Sequence, residues 1–335
     1  MLSRARVQRL LNVARQRRLL VLGDVMLDQF IWGRVSRISP EAPVPVVEVQ
    51  RESFMPGGAA NVARNLTSLG AAAEMLTVVG RDQAAPQLRA LLEEQKVGCA
   101  GMLAVSTRTT TRKVRVIAHL QQIARVDRES RTELDGALAR RLLVALEAGL
   151  PKADAVIIGD YGKGIVTQAL LDQVKRLCRE RGVWLSFDPK PVRHLDLGGL
   201  SLITPNRKEA FELAGISDES RATNPLKDQP LLQVAAKLLA SLKPALLLIT
   251  LGDQGMLLCQ RGKSPVHIPT VAQEVFDVSG AGDTVIGSFT LAIAAGASPL
   301  EAAIFSNHAA GVVVGKLGTA TVSPAELLAS FGRKP

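Results

Sequence analysis

The sequence predicts an α/β protein in which a doubly wound, mostly parallel sheet carries helices on both faces. Three observations support this fold class. Beyond residue 127, short apolar runs alternate with segments of helical periodicity, the order that a parallel sheet requires. Near the N-terminus, the segment 18–23 is apolar except at its ends, as in a strand buried on both faces. Two early pairs of alternating segments do not fit a buried parallel sheet, so we expect them to lie outside it.

The N-terminal part, residues 18–127, is predicted to contain six strands and two helices. A buried strand over 18–23 precedes two alternating strands and a helix that starts after Gly58. That helix is expected to stop at Gly70, because glycine favours the left-handed turn at a helix end. A strand and a helix then lead to the second alternating pair. The expected ranges of these segments are 29–35, 44–50, 74–80, 83–95, 112–118 and 122–127.

The remaining chain is expected to form the larger part of the parallel sheet. Strands are predicted over 153–159, 183–187, 200–204 and 245–251, and helices near 167–181, 206–214 and 231–242. An apolar run over 285–295 predicts a buried helix. The polar stretch 217–229 contains Pro225 and is expected to be a mobile surface loop.

The composition bounds the class of protein. A chain of 335 residues suffices for one large α/β domain or two smaller ones, and its scarce aromatics leave the core to Leu, Val, Ile and Ala. Cys99, Cys178 and Cys259 lack metal-ligand spacing, so we expect buried residues in a reducing compartment and a cytoplasmic protein. No apolar run is long and uninterrupted enough for a membrane span, so no membrane partner is expected.

The charge is concentrated at the N-terminus. Six arginines and no acidic residue occur within the first 18 residues, and the formal net charge is +10. Such a segment could be a nucleic-acid or membrane arm, or a transit peptide. We favour a solvated helix that packs Leu10, Leu11 and Val13 on the domain, because no aromatics are interleaved and a strand follows directly. No nucleic-acid partner is therefore expected, although a positive field favours phosphorylated substrates.

The most informative motif is Asp277-Val-Ser-Gly-Ala-Gly-Asp283, directly before the apolar run 285–295. Small residues let the backbone approach an anion, and free N–H groups at a helix start point toward it. Asp283 would add a base in the first helical turn, as phosphoryl transfer to a hydroxyl requires. The alternative is a glycine-rich turn that begins a core helix. A P-loop is excluded, because Gly262-Lys263-Ser264 lacks the upstream glycine.

Two further polar groups follow predicted strands. Asn206 and Glu209 lie three residues apart at a helix start, and an amide with a carboxylate suits a Mg²⁺ ion bound through water. Capping of the helix by the same pair is the alternative. Thr250, Gly252 and Gly255 form a turn at a strand end, which suits contact with phosphates or an ordinary hairpin.

These motifs carry a resemblance to a known family. Residues 277–283 resemble the C-terminal signature of the ribokinase-like (PfkB) carbohydrate kinases, and residues 56–70 resemble the N-terminal one, in family order. Further similar stretches extend the resemblance over nearly the whole chain, at Gly23-Asp24 with Asp28, 206–209, 250–255 and 316–319. Within the family, residues 36–46, 121–127 and 188–190 are most similar to the bacterial kinases of heptose 7-phosphate.

The resemblance implies one ribokinase-like kinase domain over residues 1–335. The alternating strands, drawn from about 29–50 and 105–127, would form a small β lid over the sugar, and pairing of lids would give a homodimer. ATP and Mg²⁺ are implied as cofactors, and dependence on a monovalent cation such as K⁺ is left open. Some heptose kinases carry an adenylyltransferase domain behind the kinase, and the end of this sequence at Pro335 suggests the single-function form.

The resemblance also implies roles for particular residues. Asp283 would be the catalytic base, and the amides of Gly280, Ala281 and Gly282 would hold the transferring group. Asn206 and Glu209 would hold Mg²⁺ through water. Asp28, Gly58 and Asn61 would contact the sugar. The nucleotide would contact Lys190, Asn206, Thr250, Gly252 and Gly255, with the adenine near Asn307 and Gly311 on a late apolar helix whose alternative role is core packing.

A heptose 7-phosphate would need cations for its existing phosphate. Arg112, Lys113, Arg115 and Arg125 lie on the predicted lid strands, and Lys163 follows a strand end, where α/β sheets bind ligands. We favour Arg115 and Lys163. Unless a bulge intervenes, Lys113 is expected on the face opposite to Arg112 and Arg115.

The expected reaction is ATP-dependent phosphorylation of the anomeric 1-hydroxyl of D-glycero-β-D-manno-heptose 7-phosphate. The product would be the 1,7-bisphosphate, on the route to ADP-heptose and the lipopolysaccharide core. The alternatives are a kinase of a fructose phosphate, a nucleoside or ribose, and a nucleotide-binding regulator without catalysis. Ala59-Ala60 replaces the lysine that ribokinase carries in this glycine motif, which disfavours ribose.

Overall fold

A computed structural model describes residues 2–332 except 120, 192–194, 220 and 273. The strands of the described part are β1 (Arg18–Gly23), β2 (Val25–Ile38), β3 (Pro45–Gly58), β4 (Ala72–Gly80), β5 (Met102–Val105), β6 (Thr111–Ala118), β7 (Gln121–Arg128), β8 (Ala155–Gly159), β9 (Trp184–Asp188), β10 (Leu202–Ile203), β11 (Leu246–Thr250), β12 (Met256–Cys259) and β13 (Val266–Ile268). The helices are α1 (Arg4–Ala14), α2 (Ala59–Ser68), α3 (Ala84–Glu94), α4 (Gly136–Gly149), α5 (Gln168–Arg181), α6 (Arg207–Ala214), α7 (Gln229–Leu242), α8 (Ala281–Ala294), α9 (Pro299–Val313) and α10 (Pro324–Ser330).

The main sheet has the order β13-β12-β11-β10-β9-β8-β1-β4-β5. Every neighbouring pair from β11 to β5 is parallel, whereas β12 and β13 are antiparallel additions at one edge. The predicted doubly wound, mostly parallel sheet is therefore confirmed. Strand β1 pairs with β4 on one side and with the later strand β8 on the other, so the strand order reverses at β1. A crevice is expected where β1 and β8 end.

Helices cover both faces of this sheet because the buried strands present apolar side chains to each face. On β1, Leu19 and Val21 belong to one core and Leu20 and Leu22 to the other. The first core packs against α1, α2, α3, α8, α9 and α10, and the second against α4 to α7. The arginine-rich N-terminus fits this layout, since α1 buries Leu10 and Leu11 and partly buries Val13. None of the helices in the described ranges has the length and apolarity to cross a bilayer.

Four strands form a second, smaller sheet in the order β3-β2-β6-β7. The outer pairs are antiparallel and the central β2/β6 pair is parallel. We call this sheet the lid. Its first two strands are longer than predicted, because their pairing continues beyond the polar alternating part into the buried pairs Val25–Gly58 and Met26–Gly57. The lid therefore begins one residue after β1 ends, directly beside the crevice.

Helix starts differ in how they are capped. Side chains cap most of the helices, namely Ser3, Asp135, Thr167, Asn206, Asp228, Ser298 and Ser323. By contrast, α2 and α8 begin at Gly58 (φ +62°) and Gly280 (φ +79°), and no side chain among the described residues caps either start. Glycine adopts this left-handed conformation without the steric cost that a side chain adds.

The stretch 217–229 is more anchored than the expected surface loop. Asp228 is buried, caps α7 through the Leu231 amide (3.0 Å) and accepts a hydrogen bond from Arg207 (2.8 Å). Residue 220 lies outside the described residues. Elsewhere the expected helices and strands are present with ends shifted by a few residues, and Gly70 indeed follows α2 with φ +96°.

Candidate active site

The crevice collects polar side chains from the ends of separate strands and helices. Asp24 follows β1, Tyr161 follows β8, and Asp188 ends β9. Asp283 lies in the first turn of α8, and Glu209 lies in the first turn of α6. The carboxyl ends of parallel strands meet at one edge, which explains why residues so distant in sequence come together.

Asp283 is almost fully buried, with 6% of its surface exposed. The Asn61 side-chain amide donates to Oδ2 (2.8 Å), and the Tyr161 hydroxyl donates to Oδ1. Burial raises the pKa of Asp283, while these two hydrogen bonds oppose the rise. A carboxylate whose pKa is raised is a stronger proton acceptor, as a general base requires.

The start of α8 is crowded at Gly280 and open at Gly282. A Cβ on Gly280 would lie 2.5 Å from Asn61 Nδ2, whereas a Cβ on Gly282 would have nothing within 4 Å. The Ala281 amide donates to Val278 O (3.2 Å). Asp277 fixes the preceding turn by accepting from the amides of Ser279 (2.8 Å) and Gly318 (3.0 Å). Binding of an anion by the amides at 280–282 stays a prediction, with Ala281 already engaged within the chain.

Asn206 and Glu209 form the capping box that was the alternative to a metal site. Asn206 Oδ1 accepts from the Glu209 amide (2.9 Å), and Glu209 Oε2 accepts from the Asn206 amide (2.9 Å). The other carboxylate oxygen of Glu209 pairs with Lys190 Nζ. Burial opposes protonation of Lys190, yet the bond to Glu209 raises the pKa of Lys190 overall. The capping prediction is therefore confirmed, and it leaves the metal role open.

The negative charge of this region is dense. Burial raises the pKa of Asp188 well above its usual range, and the carboxylates of Glu209 and Asp283 raise it further. Such repulsion suits a site that binds a divalent cation. In the ranges that the structure describes, no three acidic, histidine or cysteine side chains group closely enough to ligate a metal directly. The amide of Asn206 and the carboxylate of Glu209 are oxygen donors of the kind that fit Mg²⁺ held through water.

The predicted nucleotide turn lies beside the capping box. Thr250 forms an isolated parallel bridge with Asn206, and its amide donates to Pro205 O (3.0 Å). Gly255 has φ +85°, and a Cβ there would lie 2.1 Å from Ile268 O. The turn with Gly252 links the antiparallel strands β11 and β12, so the hairpin is confirmed and contact with phosphates stays a prediction.

Asn307 and Gly311 both contact the segment 269–272. Asn307 Nδ2 donates to Pro269 O (2.7 Å), and a Cβ on Gly311 would lie 3.0 Å from Val271 Cγ2. Both residues thus position the chain after β13. Contact of either residue with adenine stays a prediction.

The lid presents Asp28 toward the crevice. Asp28 Oδ1 accepts from Arg115 (2.5 Å), and the side chain is 3% exposed. A Cβ on Gly57 would lie 2.1 Å from Asp28 Oδ2, so glycine is required beside this carboxylate. Gly58 allows a similarly close approach to Asp24 O, at 2.7 Å from a Cβ. Contacts of Asp28, Gly58 and Asn61 with a sugar stay predictions.

Lys113 and Arg115 lie close to Asp28, and Lys163 lies close to Lys113. Lys113 lies opposite Asp28 in the β2/β6 pair and shares its face with Arg115. Burial lowers the pKa of Lys113, partly offset by Asp28 and reinforced by the positive charges of Lys163 and Arg115. The expected separation of Lys113 from Arg115 is wrong, because residues two apart on a strand share a face. Arg112 instead reaches Gln29 on the opposite face. Lys163 pairs with Glu129 (2.5 Å), just beyond β7.

Two central residues were missing from the sequence-based site. Tyr161 contacts the proposed base, and Asp24 accepts hydrogen bonds from the amides of Tyr161 (2.9 Å), Lys163 (2.9 Å) and Ile165 (3.1 Å). A signal for Tyr161 exists, since it is the only tyrosine in the sequence and lies two residues after the end of a buried strand. Asp24 thus holds the loop that carries both Tyr161 and Lys163.

Asp24→Ala is expected to lower the free energy of unfolding by about 3 kcal/mol or more, because three amides beside a 1%-exposed side chain would lose their acceptor. Asp82→Ala is the matched control. Asp82 also accepts from three backbone amides, of Ala84, Ala85 and Thr110 (2.8–3.2 Å), but it is partly exposed and water can replace it. Urea unfolding measures both losses, and an equal loss in the two variants would contradict the prediction.

Curated proteins that share one name are similar to this chain over most of its length. The chain is 47% identical over 310 residues to the bifunctional protein HldE of Caulobacter vibrioides, which covers 92% of this chain and 62% of that protein. It is 44% identical over 319 residues to the bifunctional protein HldE of Desulfatibacillum aliphaticivorans, covering 95% and 64%. The chain thus spans somewhat less than two thirds of the length of these relatives.

Solved structures share the fold. Arabidopsis thaliana ribokinase, in complex with ribose and ATP, has a TM-score of 0.74 at 19% identity and covers 95% of this chain and 99% of its own. Phosphofructokinase-2 from Escherichia coli, in complex with potassium, has a TM-score of 0.75 at 22% identity with the same coverage. The model of the pfkB family carbohydrate kinases matches residues 16–326. The chain therefore belongs to the PfkB family of carbohydrate kinases and is a sugar phosphotransferase.

Proposed function

We propose that the chain transfers the γ-phosphoryl group of ATP to the anomeric 1-hydroxyl of D-glycero-β-D-manno-heptose 7-phosphate. The product is the 1,7-bisphosphate, which serves ADP-heptose and lipopolysaccharide-core synthesis in the cytoplasm. Family membership supports the phosphoryl transfer to a sugar. The motifs at 36–46, 121–127 and 188–190, together with the similarity to HldE proteins, support the heptose substrate.

One observation carries the proposal, namely that Asp283 is close both to Asp28, which pairs with Arg115 of the lid, and to Lys190. Burial is the main cause that raises the pKa of Asp283, and the negative charge of Asp28 on the lid adds to it. Asp28 itself contacts Arg115. On the other side, the positive charge of Lys190 lowers that pKa. A substrate with phosphate at one end and its reacting hydroxyl at the other fits this order, with ATP on the Lys190 side.

The chemistry follows from these positions. Asp283 accepts the proton of the 1-hydroxyl as that oxygen attacks the γ-phosphorus, and no covalent phosphoenzyme is needed. The positive end of α8 and the amides of Gly280 and Gly282 hold the charge of the transferring group. Lys190 leaves Glu209 to contact the nucleotide phosphates. Mg²⁺, held through water by Asn206 and Glu209, supplies further charge neutralisation when it is bound.

The lid supports a homodimer. β7 is exposed along its whole length, and β3 is exposed over much of its outer part. Both are edge strands of the small sheet, and exposed edges favour pairing with another chain. Ile38, Val49 and Val126 add exposed apolar side chains to this surface. Pairing of two lids would cover the edges and the apolar side chains together.

A panel of sugars with ATP tests the proposal. Heptose 7-phosphate is expected to be the preferred acceptor, with the new phosphate on carbon 1 by ³¹P NMR. A fructose phosphate is the second candidate, because the same lid cations would bind its phosphate. Faster turnover of a fructose phosphate than of heptose 7-phosphate would identify the fructose phosphate as the substrate instead. ATP binding without a phosphorylated product from any sugar would instead favour a regulator.

Glu209→Gln is expected to raise the Mg²⁺ concentration for half-maximal activity more than it raises KM for the sugar. Glutamine preserves the acceptor of the capping box but removes the charge that attracts the cation. Glu326→Gln is the matched control, because Glu326 also closes a capping box, with Ser323, and pairs with a lysine, Lys316 (2.6 Å). If the Mg²⁺ dependence of activity is the same for wild type and Glu209→Gln, Glu209 acts only as a capping residue.

A further inference from the structure

Tyr161 stands out among the residues that the reaction has not yet used. Its hydroxyl donates to Oδ1 of Asp283, and Asn61 donates to Oδ2 at 2.8 Å. Both oxygens of the carboxylate therefore have a donor, each from a different element of the fold. With both oxygens held, the carboxylate has one orientation, and the lone pairs that remain point in fixed directions.

The tyrosine is itself held at three places. Its amide donates to Asp24 Oδ2 (2.9 Å), which fixes the backbone. One edge of its ring lies against two glycines, since a Cβ on Gly159 would lie 3.0 Å from Cε2 and a Cβ on Gly58 would lie 3.4 Å from Cδ2. Glycine at both positions leaves the space that the ring occupies. The position of the hydroxyl is therefore determined by the scaffold rather than by Asp283 alone.

We propose that Tyr161 is a positioning residue for the catalytic base. It holds the Asp283 carboxylate so that a free lone pair faces the sugar hydroxyl, and it stabilises the ionised form by donating a hydrogen bond. This inference rests on the proposed role of Asp283. Tyr161 does not exchange a proton with the substrate.

The charges around the pair are consistent with a donor that stays protonated. Burial raises the pKa of Tyr161 well above its usual range, and the negative charges of Asp283, Asp188 and Asp24 add to that effect. Asp283 also faces Asp28 from the lid, which favours its protonated form, and Lys190, which favours the carboxylate. The phenol therefore remains a donor at every pH at which the enzyme would work.

Removal of the Tyr161 hydroxyl is expected to raise the pKa of Asp283. Tyr161→Phe keeps the ring packing but deletes the donor, so the ionised form of Asp283 loses stabilisation and its pKa moves further up. Activity requires the carboxylate, so the acidic limb of the kcat profile moves to higher pH. We expect kcat at the pH optimum to fall about tenfold, because the lost bond was made to a charged group. KM for ATP is expected to change little.

A second measurement uses Tyr161 as the only tyrosine of the chain. Tyrosine labelled with ¹³C at Cζ gives one protein resonance, whose titration reports the ionisation of Tyr161 directly. In wild type it is expected to titrate above the ordinary tyrosine range, and Asp283→Asn is expected to lower that pKa by removing the adjacent negative charge. This readout needs no substrate and applies even where Tyr161→Phe fails to fold.

The two measurements separate the possible failures. An unchanged kcat and pH profile in Tyr161→Phe overturns the positioning role. The same conclusion follows if the pKa of Tyr161 is the same in wild type and in Asp283→Asn. Full activity of Asp283→Asn would overturn the proposed base and hence the function on which this inference rests. Loss of activity in Asp283→Asn, together with the shifted acidic limb in Tyr161→Phe, supports both.

Discussion

Asp283→Asn is expected to lower kcat by about 10²–10⁴-fold while leaving ATP affinity nearly unchanged. The amide of asparagine has the shape of the carboxyl group but cannot accept the proton of the attacking hydroxyl. Burial disfavours the negative charge of Asp283, and an asparagine could still accept from the Asn61 side chain and donate to the Tyr161 hydroxyl. Thermal stability is therefore expected to be equal to or greater than that of wild type.

Single-turnover kinetics with saturating ATP measures the chemical step, and calorimetry measures ATP binding. Glu301→Gln is a suitable control, because Glu301 is also an acid in the first turn of a helix, α9, but pairs with Arg6 outside the crevice. That variant is expected to lose stability rather than activity. Near-normal turnover of Asp283→Asn would exclude it as the base.

The second large effect concerns the phosphate that the substrate already carries. Wild type is expected to prefer heptose 7-phosphate over unphosphorylated heptose by at least about 10²-fold in kcat/KM. The reason is that two or more charge-assisted hydrogen bonds depend on that phosphate. Arg115→Ala and Lys163→Ala are each expected to lower kcat/KM for the phosphorylated sugar, while KM for ATP stays nearly the same.

Arg112→Ala is the matched control for Arg115→Ala. It removes the same side chain from the same strand, but its guanidinium contacts Gln29 on the other face of the lid. Its kcat/KM for heptose 7-phosphate is expected to stay near that of wild type. Equal use of the two sugars by wild type, or equal losses in the Arg112 and Arg115 variants, would defeat the phosphate anchor.

The sequence was sufficient for those parts of the fold that depend on local pattern. The apolar run at 18–23 predicted β1 within its observed bounds, and glycines at 58 and 70 marked both ends of α2. The motif 277–283 predicted a buried helix with an acid in its first turn, as found for Asp283. Each of these predictions depends on neighbours in sequence, which the chain itself displays.

The remaining features depend on contacts between distant segments. The length of β2 and β3 follows from pairing near the crevice, which polar alternation does not reveal. The pairs Lys163–Glu129 and Lys190–Glu209 each join residues from separate parts of the sequence. Tyr161 carries no motif of its own, and its role becomes visible only when α8 brings Asp283 to its hydroxyl.

The glycine starts of α2 and α8 have a thermodynamic consequence. A capping side chain contributes about 1 kcal/mol to a helix. Seven of the other described helices have one, whereas these two, among the described residues, do not. If the proposed anion binds at the start of α8, it would complete that helix in the same way as a serine or aspartate does. Part of the binding energy would then become folding energy, and we expect the resistance of the enzyme to heat and proteolysis to rise with the concentration of its substrates.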